Sequence, residues 1–317
     1  MFEMSPLVSI VFTSYNHKEF LKQALDSLTK QTYPNIELII VDDCSSDGSQ
    51  ELIKQYADLT FVQLHLREVN SGSYVKASNY GAQFAKGTYI IFAQCDDFAE
   101  PTQVEKLINA IKLNPTVGVA FSRSAMINEK GEFLCTDFEG RESRFKRQLQ
   151  SDAIITGKMM REYLSYSCVI PNLSAAILSK QLYEKAGRLS EQFLVAADWK
   201  LWLELSEITD FYYITESLNN FRQHSTTIRS KTKIKIQVLE IYRIFYQHMQ
   251  KHDLGYKEKY QLKLGAGATW FWYFINSPQQ WSTCFVSILT EISRYERFSL
   301  FYLIVGGFKQ IRNAVFK

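Results

Sequence analysis

The stretch YIIFAQCDDFAEP, Tyr89 to Pro101, ends a strand-like apolar run in two adjacent carboxylates, Asp96 and Asp97. Like charges together at the end of a buried element repel and lose solvation, so a positive partner is expected. A divalent cation is the economical one. Mg2+ or Mn2+ prefers oxygen ligands, takes one or two carboxylates from protein and leaves positions for substrate phosphates and water. On the residues alone the alternative is a solvated loop, with Phe98 as anchor and Pro101 opening the next helix. A second pair, Asp42 and Asp43, sits in VDDCSSDGSQ. Ser46 or Asp47 suits the cap of a following helix, and carboxylates at a strand end also suit hydrogen bonds from a nucleobase or ribose.

Three further segments are weaker on their own. In NSGSYVKASNYGAQFAKG (Asn70 to Gly87), Gly72 allows a tight loop and Lys76 is in reach of a phosphate. In VAADWKLWLEL (Val195 to Leu205), Asp198 reads equally as a helix N-cap or a general base, and periodicity does not separate the two. In NNFRQHSTT (Asn219 to Thr227), Arg222 and His224 alternate on an extended segment and share a face. Arg there would neutralise phosphate, and His would ligate a metal or bond a phosphate.

The elements that position these residues alternate through the first half. LVSIVFT, IELIIVDD, TFVQLHL, YIIFA and VGVAFS read as strands; KEFLKQALDSLTKQ, Ser49 to Tyr56, YVKASNYGAQFA and QVEKLINAIKLN read as helices. Such alternation predicts βαβ units around a largely parallel sheet, whose ligands bind beyond the carboxyl ends of the strands. Both aspartate pairs fall at that edge. After about residue 125 the alternation becomes irregular: NEKGEF reads as a hairpin turn, EGRESRFKRQLQ as a charged connector, and the chain from Ile234 onward as aromatic-rich helices.

A chain of 317 residues, 46% hydrophobic, has material for one large domain with an appendage. Five scattered cysteines without CxxC spacing argue against a disulfide framework or a zinc site and fit a reducing compartment. The N-terminal apolar run is too short for a signal peptide and no window approaches a bilayer span, so the expected location is cytoplasmic. The net charge of +3 conceals an asymmetry: residues 226–317 carry 14 basic and 5 acidic side chains, net +9, against net −6 before them. No nucleic-acid motif accompanies the basic part, so nucleic acid is not an expected partner.

Taken in order, VSIVFTSYNHKEFLKQALDSLTKQTYPNIELIIVDDCSSDGS, NSGSYVKASNYGAQFAKGTYIIFAQCDDFAEP, AADWKLWLEL and FRQH resemble a family 2 glycosyltransferase of the GT-A fold, over about Val8 to His224. The resemblance implies an α/β, Rossmann-like, mixed but mostly parallel sheet flanked by helices. It implies metal-dependent transfer of a sugar, with inversion, from a UDP- or dTDP-linked donor to an acceptor hydroxyl. By position, Thr13, Tyr15 and Asn16 line the nucleotide pocket and Asp43 contacts the base. Asp97 is the expected direct metal ligand, with Asp96 at the ribose or the ion. Arg222 and His224 close over the diphosphate, His224 also within reach of the metal, and Asp198 is the catalytic base. Gln94, Ser78 and Ala197 stand where many relatives carry Asp, Arg and Glu, which leaves Lys76 to substitute as the cation.

Two other functions fit parts of the pattern. A nucleotidyltransferase also uses such a sheet with paired carboxylates, but TSYNHKEF lacks the glycine-rich, basic loop it needs after the first strand. A catalytically silent sugar-nucleotide or glycan-binding protein would account for Gln94 and Ala197. The expected organisation is a catalytic domain over residues 1–225 and a helical, basic and aromatic region over 226–317. GATWFWYF and FSLFYLIVGGFKQIRNAVFK suggest either peripheral contact with an anionic membrane, suited to a lipid-linked envelope acceptor, or packing on the catalytic domain or another subunit.

Overall fold

The computed structural model describes residues 5–141, 143–225 and 227–315, so the extreme N-terminus and the last two residues of the basic tail lie outside the described residues. The chain opens with β1 (Val8–Ser14), α1 (Lys18–Thr29), β2 (Ile36–Asp42), α2 (Ser49–Lys54), β3 (Val62–Leu66), α3 (Tyr74–Ala82), β4 (Tyr89–Gln94), β5 (Phe98–Ala99), α4 (Gln103–Lys112) and β6 (Val117–Ile127). The middle carries β7 (Phe133–Thr136), α5 (Asp137–Gly140), α6 (Ser143–Gln148), β8 (Ala153–Ile155), α7 (Gly157–Leu164), β9 (Ala176–Ser179), α8 (Lys180–Lys185), α9 (Ala197–Leu205) and β10 (Asp210–Arg222). Helices α10 (Ile228–Lys231), α11 (Ile234–Lys251), α12 (Tyr256–Asn276), α13 (Pro278–Ile292) and α14 (Ser299–Val315) follow.

The strands form one mixed sheet in the order β3-β2-β1-β4-β9-β6-β10-β5, with β7 on β6 and β8 on β10. β1 to β4 pair in parallel, as do β6 and β10, while β9 is inserted antiparallel between β4 and β6. The central parallel strands are largely apolar because both faces are covered: all seven residues of β1 are buried. On one face α1 contributes Phe20, Leu21, Ala24, Leu25 and Leu28, one helical stripe. On the other, α3 approaches closely at Gly81, where a methyl group would stand 2.6 Å from Val11 Cγ1.

One expectation changes. EGRESRFKRQLQ is not a plain connector; it contains parts of α5 and α6, and charge dominates because Phe145 is the only buried side chain of α6. Arg141 covers that ring at 4.9 Å and pairs with Asp137. The core also runs across residue 225. One apolar cluster joins Val11, Val41 and Phe92 of the sheet to Trp202 of α9, Val238, Tyr242 and Phe245 of α11, Trp270 of α12 and Leu303 of α14. Small residues allow α12 and α14 to meet: a methyl at Gly306 would lie 2.5 Å from Ala268 N, and one at Gly267 would lie 2.1 Å from Tyr302 O.

Candidate active site at the carboxyl edge of the sheet

Register brings the strand ends together, Ser14 opposite Asp42 and Thr13 opposite Gln94. Thr13, Tyr15, Asn16, Asp43 and the Asp96–Asp97 loop therefore lie along one edge, Thr13 buried and Tyr15 46% exposed. Asn16 has φ 52°, a left-handed conformation that Asn tolerates better than most residues. Its N–H donates to Ser45 Oγ at 2.9 Å and its Oδ1 accepts from Ser46 N at 2.8 Å, which ties the β1–α1 loop to the β2–α2 loop.

The first aspartate pair divides its labour. Asp42 is fully buried and accepts from Ser45 N, Ser45 Oγ and Gln50 Nε2, so it builds the turn. Asp43 accepts from Ser71 N at 3.0 Å, Ser71 Oγ at 2.6 Å and Arg67 Nη1 at 3.1 Å. It anchors the loop before α3 against the nucleotide edge. Lys76 is on the exposed side of α3, whereas Val75, Ala77, Ser78 and Asn79 face inward.

The second pair divides more sharply. Asp97 is 4% exposed, with Oδ1 accepting from Arg222 N at 3.1 Å and Oδ2 accepting from Asn172 Nδ2. Burial first, then the charge of Asp96, pushes its carboxyl well above the usual range. Asp96 is the more accessible, and its Oδ2 is 3.0 Å from His224 Nε2. The oxygens of Asp97 are engaged inside the protein, while Asp96 presents an oxygen beside an imidazole nitrogen. The His17 ring stands edge-on to His224 at 5.4 Å, and its Nδ1 is 3.5 Å from Cys95 Sγ.

Arg222 is 2% exposed, and its guanidinium is spent internally. It donates to the carbonyls of Asp96 (3.0 Å), Asn128 (3.1 Å) and Glu129 (2.8 Å) and to Gln23 Oε1 (2.7 Å), and it stacks over Phe20 at 4.6 Å. These bonds hold β10, the carboxylate loop and the β6–β7 turn together.

Asp198 is the second residue of α9, and its Oδ1 accepts from Trp199 N at 2.7 Å. The N-cap is Ala196, so the capping alternative for Asp198 does not hold. The amides ahead of the helix are bound instead by Glu240 of α11, which no sequence pattern had singled out. Burial raises the Asp198 carboxyl; Arg229 opposes that rise and Glu240 adds to it. Sequence reasoning also missed Arg67, Asn172 and Ser174, whose partners lie far away along the chain.

A second cluster of ligand-type side chains, Glu204, His248 and His252, lies where α9 meets α11. Glu204 also binds Lys200 and Lys251, and His248 holds Glu204 through Nδ1 and Glu207 through Nε2. With both ring nitrogens on carboxylates and two ammonium groups alongside, the cluster is an ion-pair network rather than a cation seat.

A mixed sheet with an inserted antiparallel strand and carboxylates gathered at its carboxyl edge is the GT-A glycosyltransferase fold. Residues 9–166 match the family described as glycosyl transferase family 2, and the chain belongs to that family. It is 26% identical over 248 residues to an uncharacterised glycosyltransferase of Rickettsia typhi, covering 78% of this chain and 72% of that one. It is 36% identical over 108 residues to the putative teichuronic acid biosynthesis glycosyltransferase TuaG of Bacillus subtilis, covering 33% of this chain and 42% of that protein. The fold is similar to the crystal structure of S. aureus TarS 1–349 in complex with UDP-GlcNAc, with TM-score 0.70, 15% identity and coverage of 95% of this chain and 89% of that one.

Proposed function

We propose that the protein transfers a sugar, with inversion, from a UDP- or dTDP-linked donor to an acceptor hydroxyl in the synthesis of a bacterial envelope polysaccharide. The observations that carry this reading are the Asp96–His224 couple at the sheet edge, 3.0 Å apart, and Asp198 at the head of α9, a half-buried carboxyl whose pKa burial raises. The UDP-GlcNAc complex of TarS supports a uridine nucleotide, and the similarity to TuaG, a putative teichuronic acid biosynthesis glycosyltransferase, supports an envelope polymer.

An oxygen and an imidazole nitrogen 3.0 Å apart suit Mn2+ or Mg2+, so Asp96 and His224 are the residues that would hold the ion. When bound, such an ion supplies Lewis acidity at the diphosphate and stabilises the leaving nucleoside diphosphate. Thr13 and Tyr15 line the base, Asn16 and Asp43 fix the loops around it, and Asp97 and Arg222 hold the carboxylate loop in shape. Asp198 accepts the proton of the acceptor hydroxyl as that oxygen attacks the anomeric carbon. A carboxyl raised by burial is the better base, because its conjugate acid lies closer to the working pH. The test is a thermal-shift screen of UDP, dTDP and GDP with Mn2+, followed by Asp198→Asn: transfer is lost and nucleotide stabilisation persists. Absence of any nucleotide shift would sink the reading.

Peripheral contact with an anionic membrane is the second part of the proposal. Phe298, Leu300, Phe301, Ile304 and Phe308 are exposed together with Arg294 and Arg297. Among the described residues no helix is long and apolar enough to cross a membrane. Basic side chains beside exposed aromatics favour a phosphatidylglycerol surface over an uncharged partner. Phe301→Ser/Phe308→Ser should abolish sedimentation with phosphatidylglycerol vesicles; a concentration-dependent dimer that the same substitutions dissolve would reassign the face to a second copy.

A further inference from the structure

Glu240 lies on α11, beyond the residues that match the family and outside every motif of the sequence. Its Oε1 accepts from Leu194 N at 2.7 Å, and its Oε2 accepts from Val195 N at 2.9 Å and Ala196 N at 3.0 Å. These are the last residues before α9, whose second residue is Asp198. A helix start leaves amides without partners, and the side chain at the N-cap ordinarily takes one. Here the N-cap is Ala196, which has no side-chain acceptor, and Glu240 binds the Ala196 amide and the two amides ahead of it. Glu240 is 4% exposed, and a buried carboxylate is stable only where donors replace the water it lost. Three amides converging on one carboxylate fix the path of the turn and, through it, the start of α9. The helix is held from its other side by Trp199, whose Nε1 donates to Leu164 O at 2.9 Å and whose ring meets Phe245 edge-on at 5.7 Å.

We infer that Glu240 is a positioning residue for proton abstraction from the acceptor: it clamps the Leu194–Ala196 turn so that Asp198 faces the acceptor in one orientation. This rests on the reading of Asp198 as the base. The charged and titratable groups acting on Asp198 are Tyr74 of α3, Cys168 on the segment after α7, Arg229 of α10 and Glu240 itself. Glu240 thus has two effects. Its hydrogen bonds orient the base, and its negative charge disfavours ionisation of Asp198 while Arg229 favours it. Replacing Glu240 with neutral Gln removes a like charge, so Asp198 ionises at lower pH and the acid limb of the rate profile moves to lower pH.

The test uses the full chain and the variants Glu240→Gln, Glu240→Asp and Asp198→Asn. Hydrogen exchange at the amides of residues 194–196 needs no donor: protection should fall in Glu240→Gln and be partly restored in Glu240→Asp. With UDP-GlcNAc, UDP-glucose and dTDP-glucose as donor probes, Glu240→Gln should lower kcat about 10- to 100-fold, the scale of a small misplacement. Donor KM should stay within twofold and the acid limb should shift downward. A residue that only stabilises the fold would lower the melting temperature without moving that limb. If Asp198→Asn abolishes transfer while Glu240→Gln keeps wild-type kcat, pH profile and amide protection, the positioning role is overturned and the base assignment stands. If Asp198→Asn transfers normally, or the wild type turns over none of the donors, the functional reading fails and the positioning role falls with it.

Discussion

Asp96 and Asp97 are neighbours with opposite environments. Asp97 is an anchor whose oxygens are bound to Asn172 and to the Arg222 amide, and Asp96 is the group left to meet a ligand. Asp96→Asn should therefore remove Mn2+-dependent stabilisation and transfer while leaving the melting temperature of the free protein nearly unchanged. Asp97→Ala should instead destabilise by about 3 kcal/mol, as expected when buried donors lose a charged acceptor; urea unfolding of the two variants separates the cases. Arg222→Gln should likewise cost about 3 kcal/mol by leaving buried carbonyls without a donor, with nucleotide affinity in calorimetry nearly unchanged. The reach of these contacts explains what the sequence did not disclose. Asp97 to Asn172 spans 75 residues and Asp43 to Arg67 spans 24, with no periodicity to mark either partner. Asp96, Asp97 and Asp43 were legible because they end strands, and a charge at the end of an apolar run is a local signal. What was not legible was which carboxylate of a pair its neighbours would engage.

At the scale of elements, the alternating half could be read because its central strands are buried on both faces and its longer helices carry one apolar stripe. β9 was legible as a strand but not as an antiparallel insertion between β4 and β6, since pairing partners leave no mark in a four-residue run. α6 was obscured because one buried phenylalanine holds a helix of otherwise charged and polar residues. The α12–α14 crossing depends on Gly267 and Gly306, where backbone meets backbone. Gly306→Val should force these helices apart at about 1–3 kcal/mol. Limited proteolysis should then cut first near the 293–298 connection, while nucleotide-induced stabilisation of the sheet half is kept; unchanged cleavage would mean that the helices adjust around the branch.

For the whole molecule, the continuity of the core past residue 225 is decisive. Tryptophans 199, 202 and 270 report from both sides of that position within one apolar cluster. Their fluorescence and the far-UV signal should follow a single cooperative urea transition; two separated transitions would restore an independent C-terminal unit. The α9–α11 network gives this joint a pH dependence. Burial opposes protonation of His248, yet hydrogen bonds to Glu204 and Glu207 hold it above the ordinary histidine range. That contribution is complete below the unfolded histidine pKa of about 6.5 and is lost as pH rises through the higher folded value. Burial likewise opposes ionisation of Glu204 and Glu207, but their histidine and basic partners depress both, so their share is lost as pH falls through the depressed values. Stability from this joint should thus peak in mildly acidic solution, and His248→Gln should flatten the dependence of melting temperature on pH.

The carboxylate turn has a consequence for protein engineering. Gln94 is held by its main chain, with its amide on Ser174 Oγ and its carbonyl on the Asp97 amide, while the lock on the turn is supplied by Asp97, Asn172 and Arg222. The shape of the loop is therefore largely independent of the side chain at position 94. A saturation library there should fold in nearly every member, so differences in activity among its members would report on the side chain at position 94 itself and not on the scaffold.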